Sequence, residues 1–310
     1  MVVHLLPSKY IEGSKDCFLG DLFSFLSMNK SALLYYTRAK DKDADNEDIL
    51  KKLGTTLIKI KEYNKAINIY QAIDTDNQDD IILYNWGKAL EKQGNYTEAE
   101  AKYLQTLSMN PSNPAAYCGL ANILDEQGYH ALAAEKYNQA LMLDPNNADI
   151  MISLGLAYEA DGELEKASKI LKKALCLNPD STEAHFALGT IYEKMQHYQK
   201  AIEEYTRALA LDPYYVDVYT RWGEVLYLTG DYDGALEKFK LAIKIDPNHS
   251  WALYDMACVY TKINNLKEAV KYIKRAIKID KTIVVDVKEN PNLISLIGNR
   301  QVRSLLKQSA

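Results

Sequence analysis

The residues of this chain that could carry chemistry are five histidines, four cysteines and several adjacent acid pairs. Two histidines one turn apart on a helix, as in HxxxH or HExxH, would hold a metal ion. His4, His130, His185, His197 and His249 have no such spacing. Cys17, Cys118, Cys176 and Cys258 lack the CxxC pairing of zinc and redox sites and read as buried, reduced thiols. Pairs such as Glu203-Glu204 and Asp79-Asp80 have the groups for acid–base work, but on amphipathic helices such pairs form a solvated face. Phosphate-cradling GxxxxGK[ST] and GxGxxG loops and the GxSxG elbow are absent from the sequence. The reading is a non-enzyme with no catalytic residue, no metal and no cofactor.

What positions these residues is a repeat. An Asp-Pro or Asn-Pro step returns at Pro111, Pro145, Pro179, Pro213 and Pro247, each 34 residues after the last. Counting back, the eighth place of every unit is small: Gly20, Gly54, Gly87, Ala121, Gly155, Gly189, Gly223 and Ala257. Twelve residues on, Ala32, Ala66, Ala99, Ala133, Ala167, Ala201, Ala235 and Ala269 are alanine without exception. Tyr36, Tyr70, Tyr103, Tyr137, Tyr205 and Phe239 follow one helical turn later, with Leu171 and Ile273 at the same place elsewhere. The pattern predicts two antiparallel helices per unit: small residues let backbones approach, large ones fill the grooves, and proline ends the second helix. His185 falls at a core-facing place and reads as a packing histidine, while His197 falls in a turn.

These small, bulky and proline positions resemble the tetratricopeptide repeat family, over about residues 13–283. The resemblance implies an all-α, right-handed superhelical solenoid of antiparallel helix pairs with a C-terminal capping helix. The expected organisation is an N-terminal arm at 1–12 and eight units at 13–46, 47–79, 80–113, 114–147, 148–181, 182–215, 216–249 and 250–283. A closing segment at 284–310 completes it. The first unit departs from the pattern, with no proline and Asp16 at a usually bulky place, and the second lacks one residue near its end. The closing helix is expected from Asn290 to Leu296 and from Arg300 to Leu306.

Composition sets outer bounds. A net charge of −5 gives no general attraction to nucleic acid or anionic lipid. No apolar run approaches the roughly 18–20 residues of a membrane-spanning helix, and Met1 to Tyr10 lack a secretory pattern. The expectation is a cytoplasmic protein with no nucleic-acid or membrane partner, export by a non-secretory route being left open.

In the family, the first helix of each unit lines a concave side that holds an extended peptide or partner helix. Positions 2, 5, 6, 9, 12 and 13 of each unit face it. The second and third units place Lys51, Lys52, Lys59, Tyr84, Asn85, Lys88 and Lys92 there, a basic stretch suited to an acidic segment or a C-terminal carboxylate. Its bland alternative is a solvated lysine face. Units four to six supply Asn122, Asp125, Glu126, Asp149, Glu159, Glu183 and Glu193, an acidic stretch relieved by Phe186. Units seven and eight add Arg221, Glu224, Tyr227, Trp251 and Tyr254, aromatic anchors whose alternative role is packing against the closing helix. The two-carboxylate clamp by which some members hold chaperone tails is incomplete. Lys51 and Asn85 match it, but Thr55, Ala115 and Gly119 replace its other groups. The reading is a protein-interaction scaffold for a protein or peptide. The alternatives are an accessory subunit of an enzyme complex and an exported effector binding a host protein, and homo-oligomerisation stays open.

Overall fold

The computed structural model of the chain describes residues 8–73, 79–298, 302–304 and 306. Residues 1–7 of the expected N-terminal arm, the stretch 74–78 near the end of the second repeat, and Arg300, Gln301 and Leu305 of the expected closing helix lie outside the described residues. Two compact units divide the chain, Met1–Ile150 and Met151–Ala310.

The first unit contains the pairs α1 (Ser8–Phe25) and α2 (Asn29–Lys42), α3 (Glu47–Lys59) and α4 (Tyr63–Gln71), α5 (Asp80–Lys92) and α6 (Tyr96–Met109), and α7 (Pro114–Glu126) and α8 (His130–Leu143). The division falls within α9 (Ala148–Ala160). The second unit continues with α10 (Leu164–Leu177), α11 (Thr182–Lys194) and α12 (Tyr198–Leu211), α13 (Val216–Leu228) and α14 (Tyr232–Ile245), and α15 (Ser250–Lys262) and α16 (Leu266–Ile279). Within each unit, the second helix of one pair packs on the first helix of the next, so the pairs stack as an all-α solenoid.

Local chemistry cuts the chain into these helices. Asn46, Asp79, Asn113, Asn147 and Ser181 each accept a hydrogen bond from the backbone N–H three residues on, which caps the first helix of a unit. Between the two helices of a pair the chain turns through one left-handed residue. Gly94, Gly128, Gly162 and Gly230 take that conformation freely, whereas Ser27, Lys61, Gln196 and Asn264 adopt it with φ between 56° and 65°. Where a proline follows, the second helix ends at an Asp or Asn outside the helical conformation, as at Asp144 (φ −131°, ψ 79°), because the proline disfavours the helical conformation in the residue before it.

The predicted pairing of small and large residues is seen in atomic terms. The Tyr70 ring lies over Gly54, the Tyr103 ring over Gly87, the Tyr205 ring over Gly189 and the Phe239 ring over Gly223. Every repeat alanine from Ala32 to Ala269 is fully buried. His185 is buried as expected, with Nδ1 2.7 Å from Glu204 Oε2 and Nε2 3.0 Å from the Pro179 carbonyl.

Two expectations need correction. All four cysteines are free thiols, but only Cys258 is buried; Cys17 and Cys118 are half-buried and Cys176 is exposed. On α10 the inward stripe runs through Ala167, Leu171 and Ala174, and Cys176 falls off it. The end of the chain also begins its closure earlier than expected. A short helix α17 (Ile283–Glu289) buries Ile283, Val284 and Val287 before a 3-10 turn at Pro291–Leu293 and the helix α18 (Ile294–Ile297). With Leu293, Leu296, Val302 and Leu306 these residues cover the apolar face of α15 and α16. Pro291 cannot continue α17, which is why the cover comes in short pieces.

Candidate functional site

The recurring spacing of a tyrosine above a small residue has a second consequence. Each ring fills the space over the small residue, and its hydroxyl emerges on the face of the first helix where the candidate groove residues lie. Tyr36 donates to Asp21 (2.8 Å), Tyr103 to Glu91 (2.6 Å), Tyr137 to Asn122 (2.6 Å) and Tyr205 to Glu193 (2.7 Å). Burial pushes the phenols of Tyr36, Tyr103 and Tyr205 well above their ordinary pKa, and the neighbouring carboxylates of Asp21, Glu91 and Glu193 push in the same direction. They act as neutral donors.

In the first unit the basic stretch is brought together and then largely neutralised by its neighbours. Lys51 pairs with Asp79. Lys52 lies 2.8 Å from Asp48 and 3.0 Å from Asp21. Burial alone would lower the Lys52 pKa, but the hydrogen bonds to Asp48 and Asp21 outweigh it and hold the ammonium above its usual range. Lys92 pairs with Glu91 at 3.0 Å, and Asn122 donates to the same carboxylate at 3.2 Å. Tyr84 packs on Tyr103 with ring centres 5.9 Å apart, and Asn85 donates to Thr55 at 3.4 Å. Lys59 is exposed and Lys88 half-buried. Most of the positive charge read from the sequence therefore has a carboxylate partner in place.

In the second unit α11, α13 and α15 line an open groove of about 620 Å³. Phe186, Arg221 and Trp251 lie along it, and a hollow of about 280 Å³ that shares Phe186 and Arg221 adjoins it. Trp251 is 44% exposed, with its ring edge-on to Tyr254 at 5.6 Å. Tyr254 itself is 7% exposed and accepts a hydrogen bond from Asn290 at 2.7 Å. Of the two aromatic anchors expected on α15, Tyr254 is thus taken by the closing segment and only Trp251 faces outward. Tyr227 is half-buried and packs against Tyr232 at 5.8 Å.

Charge in this groove centres on Arg221, which donates to Glu224 at 2.9 Å and lies 3.8 Å from Glu193. Burial raises the carboxyl pKa of both Glu193 and Glu224, and Arg221 only partly offsets it. His249 caps α15 by accepting the Ala252 N–H at its Nδ1 (3.1 Å), so its proton sits on Nε2, 3.3 Å from Asp217. Asp255, on the wall of the groove, was not singled out by the sequence reading. It occupies position 6 of its unit, one of the places read as groove-facing, and that was the available signal. Among the described residues no three His, Cys, Asp or Glu side chains converge as a metal site, and no helix is long and apolar enough to cross a membrane.

The family model described as the cilia and flagella-associated protein 70 C-terminal domain matches residues 17–214, and two tetratricopeptide repeat models match residues 186–250 and 226–283. The chain belongs to the tetratricopeptide repeat family. Tetratricopeptide repeat protein 21B of Xenopus laevis is 30% identical over 93 residues, which is 30% of this chain and 7% of that relative. Its Mus musculus counterpart is 26% identical over the same length, so this chain matches only a small part of either protein. Among solved tetratricopeptide-like folds, the APC/C hetero-tetramer Cut9-Hcn1 is similar with a TM-score of 0.62 at 18% identity, covering 94% of this chain and 54% of that one. The C-terminal part of a repeat protein from Cytophaga hutchinsonii gives a TM-score of 0.56 at 16% identity, covering 76% and 96%. At these identities the likeness is one of fold. Tetratricopeptide repeat proteins generally act as protein-interaction scaffolds and are typically non-catalytic.

Proposed function

We propose that this chain is a non-enzymatic interaction scaffold that holds a protein or peptide segment in the groove lined by α11, α13 and α15. The observation that carries this reading is the open groove itself. A space of about 620 Å³ joins an outward-facing aromatic, Trp251, to Phe186 and to the charged Arg221–Glu224 pair. Apolar anchors beside a few directed polar groups are what a peptide-holding surface requires. The basic stretch of the first unit is a weaker candidate, because binding an acidic segment there would displace the carboxylates already paired with Lys51, Lys52 and Lys92.

The test is affinity capture with three forms of the full chain: the native one, Trp251→Ala, and the double charge reversal Lys88→Glu with Lys92→Glu. All three should first be shown equally helical by circular dichroism. A partner identified by mass spectrometry, held by the native and charge-reversed chains and lost with Trp251→Ala, supports the groove of the second unit. Retention by Trp251→Ala with loss in the charge reversal would move the site to the first unit.

A further inference from the structure

The second-unit groove carries more carboxylates than cations, and one of them is stranded. Glu193 and Glu224 share the single guanidinium of Arg221. Glu159 is taken by Lys194 at 3.0 Å. Asp217 faces His249, which accepts the Ala252 amide at Nδ1 and turns Nε2 toward the carboxylate. Asp255 belongs to the wall shared by the large groove and a smaller cavity of about 100 Å³ behind it. Its Oδ2 is shielded and has no hydrogen-bond partner among the described residues, while the residue as a whole is half-buried and reaches the groove. A buried carboxyl oxygen without a donor is costly, and in a native structure it calls for an explanation, of which an ion or a functional role is one.

Resting on the scaffold reading, we propose that the groove takes a cationic segment, and that a lysine or arginine side chain of this segment ends against Asp255. Three features of the surroundings fit that occupant. Glu224, on the same wall, adds a second carboxylate, so an ammonium or guanidinium entering there meets two acceptors. Phe186 and Trp251 line the approach and offer aromatic surface to a cation or to its aliphatic stem. An acidic segment would instead add charge to Glu193, Asp217 and Glu224, with Arg221 already paired to two of them. Burial and the nearby Glu224 hold the Asp255 carboxyl well above its ordinary range, with Arg221 opposing them. An arriving cation reverses that balance and favours the carboxylate, so binding should release protons.

The experiment uses the full chain and a fluorescein-labelled twelve-residue peptide of alternating lysine and alanine, read by anisotropy. The controls are the same peptide with glutamate for lysine, the Asp255→Asn chain, and Asp233→Asn, which removes the same charge from an exposed site on α14. Saturable binding of the lysine peptide is expected, weakened about tenfold or more by Asp255→Asn and by glutamate substitution, and little changed by Asp233→Asn. Isothermal titration in buffers of different ionisation enthalpy should show proton release with the native chain and less with Asp255→Asn. Equal weakening by Asp233→Asn, unchanged affinity in Asp255→Asn, or no binding of the lysine peptide would each overturn the proposal. Trp251-dependent binding of the glutamate peptide alone would overturn it while leaving the scaffold reading intact.

Discussion

Tyr205 lies directly over Gly189: a Cβ placed on that glycine would stand 2.5 Å from Tyr205 Cε1. Tyr205 is fully buried and anchored by its hydroxyl to Glu193, so the ring has little freedom to withdraw. Gly189→Ala should therefore destabilise the chain by roughly 1–3 kcal/mol, the usual range for overpacking a close-packed core. Urea unfolding of the two proteins checks this, and an unchanged midpoint would show that the helix pair can spread without loss.

The left-handed turn residue supports a prediction of the opposite sign. Gln196 holds φ at 60°, where the other turns of the second unit use Gly162 and Gly230 and a non-glycine Asn264. Gln196→Gly removes the side-chain clash of that conformation and should raise stability by roughly 0.5–1 kcal/mol, the gain being reduced by glycine's greater freedom in the unfolded chain. A lower midpoint in thermal or urea unfolding would contradict it.

Tyr103→Phe should cost about 1–2 kcal/mol, because it removes a donor from the buried Glu91 carboxylate and leaves only Asn122 and Lys92 to satisfy it. Replacing Glu91 by Gln in the same background should recover part of the loss, since the stranded group is then uncharged. A double-mutant cycle measures both terms.

Asp255 gives the chain a pH dependence of definite sign. Its folded carboxyl is raised well above the ordinary value of 3.8 by burial and by Glu224, so the folded state holds this proton more tightly than the unfolded one. The associated stability is fully present below about pH 3.8 and is lost as pH rises through the raised folded value. Asp255→Asn removes this term, so its stabilising effect should grow between pH 5 and pH 8. Melting curves of both proteins across that range test it. A difference that shrank with rising pH would show that Asp255 is ionised and paired in the folded chain.

Thiol accessibility should follow burial, not position in the sequence. Cys176 is exposed and should react first with a thiol reagent under native conditions, whereas Cys258 is buried and its pKa is pushed strongly up by burial and by Asp255. Peptide mapping after timed labelling distinguishes the two, and early modification of Cys258 would mean that the closing segment opens readily.

The repeat was legible in the sequence because its determinants are local and recur at fixed spacing. Helix caps act over three residues, proline restricts its immediate predecessor, and the Gly189–Tyr205 relationship needs only two helices joined by a short turn. The helix pairs, the buried alanines and the packing role of His185 all follow from such rules. The electrostatic character of the candidate site was not legible, because it depends on which charges meet across different helices. Lys51 and Lys52 look basic along the chain, but folding sets Asp79 and Asp21 from other helices against them. Tyr254 and Trp251 are three residues apart and alike in type, yet folding brings Asn290 onto one and leaves the other outward. Asp255 looked like any helical acid until its neighbours were known. The sequence alone determined that these helices form and how each pair packs. Only the tertiary structure decided which of these charges are cancelled across helices and which carboxyl oxygen is left without a partner among the described residues, because Coulomb interactions and desolvation depend on distances between residues far apart in the chain, as between Lys52 and Asp21.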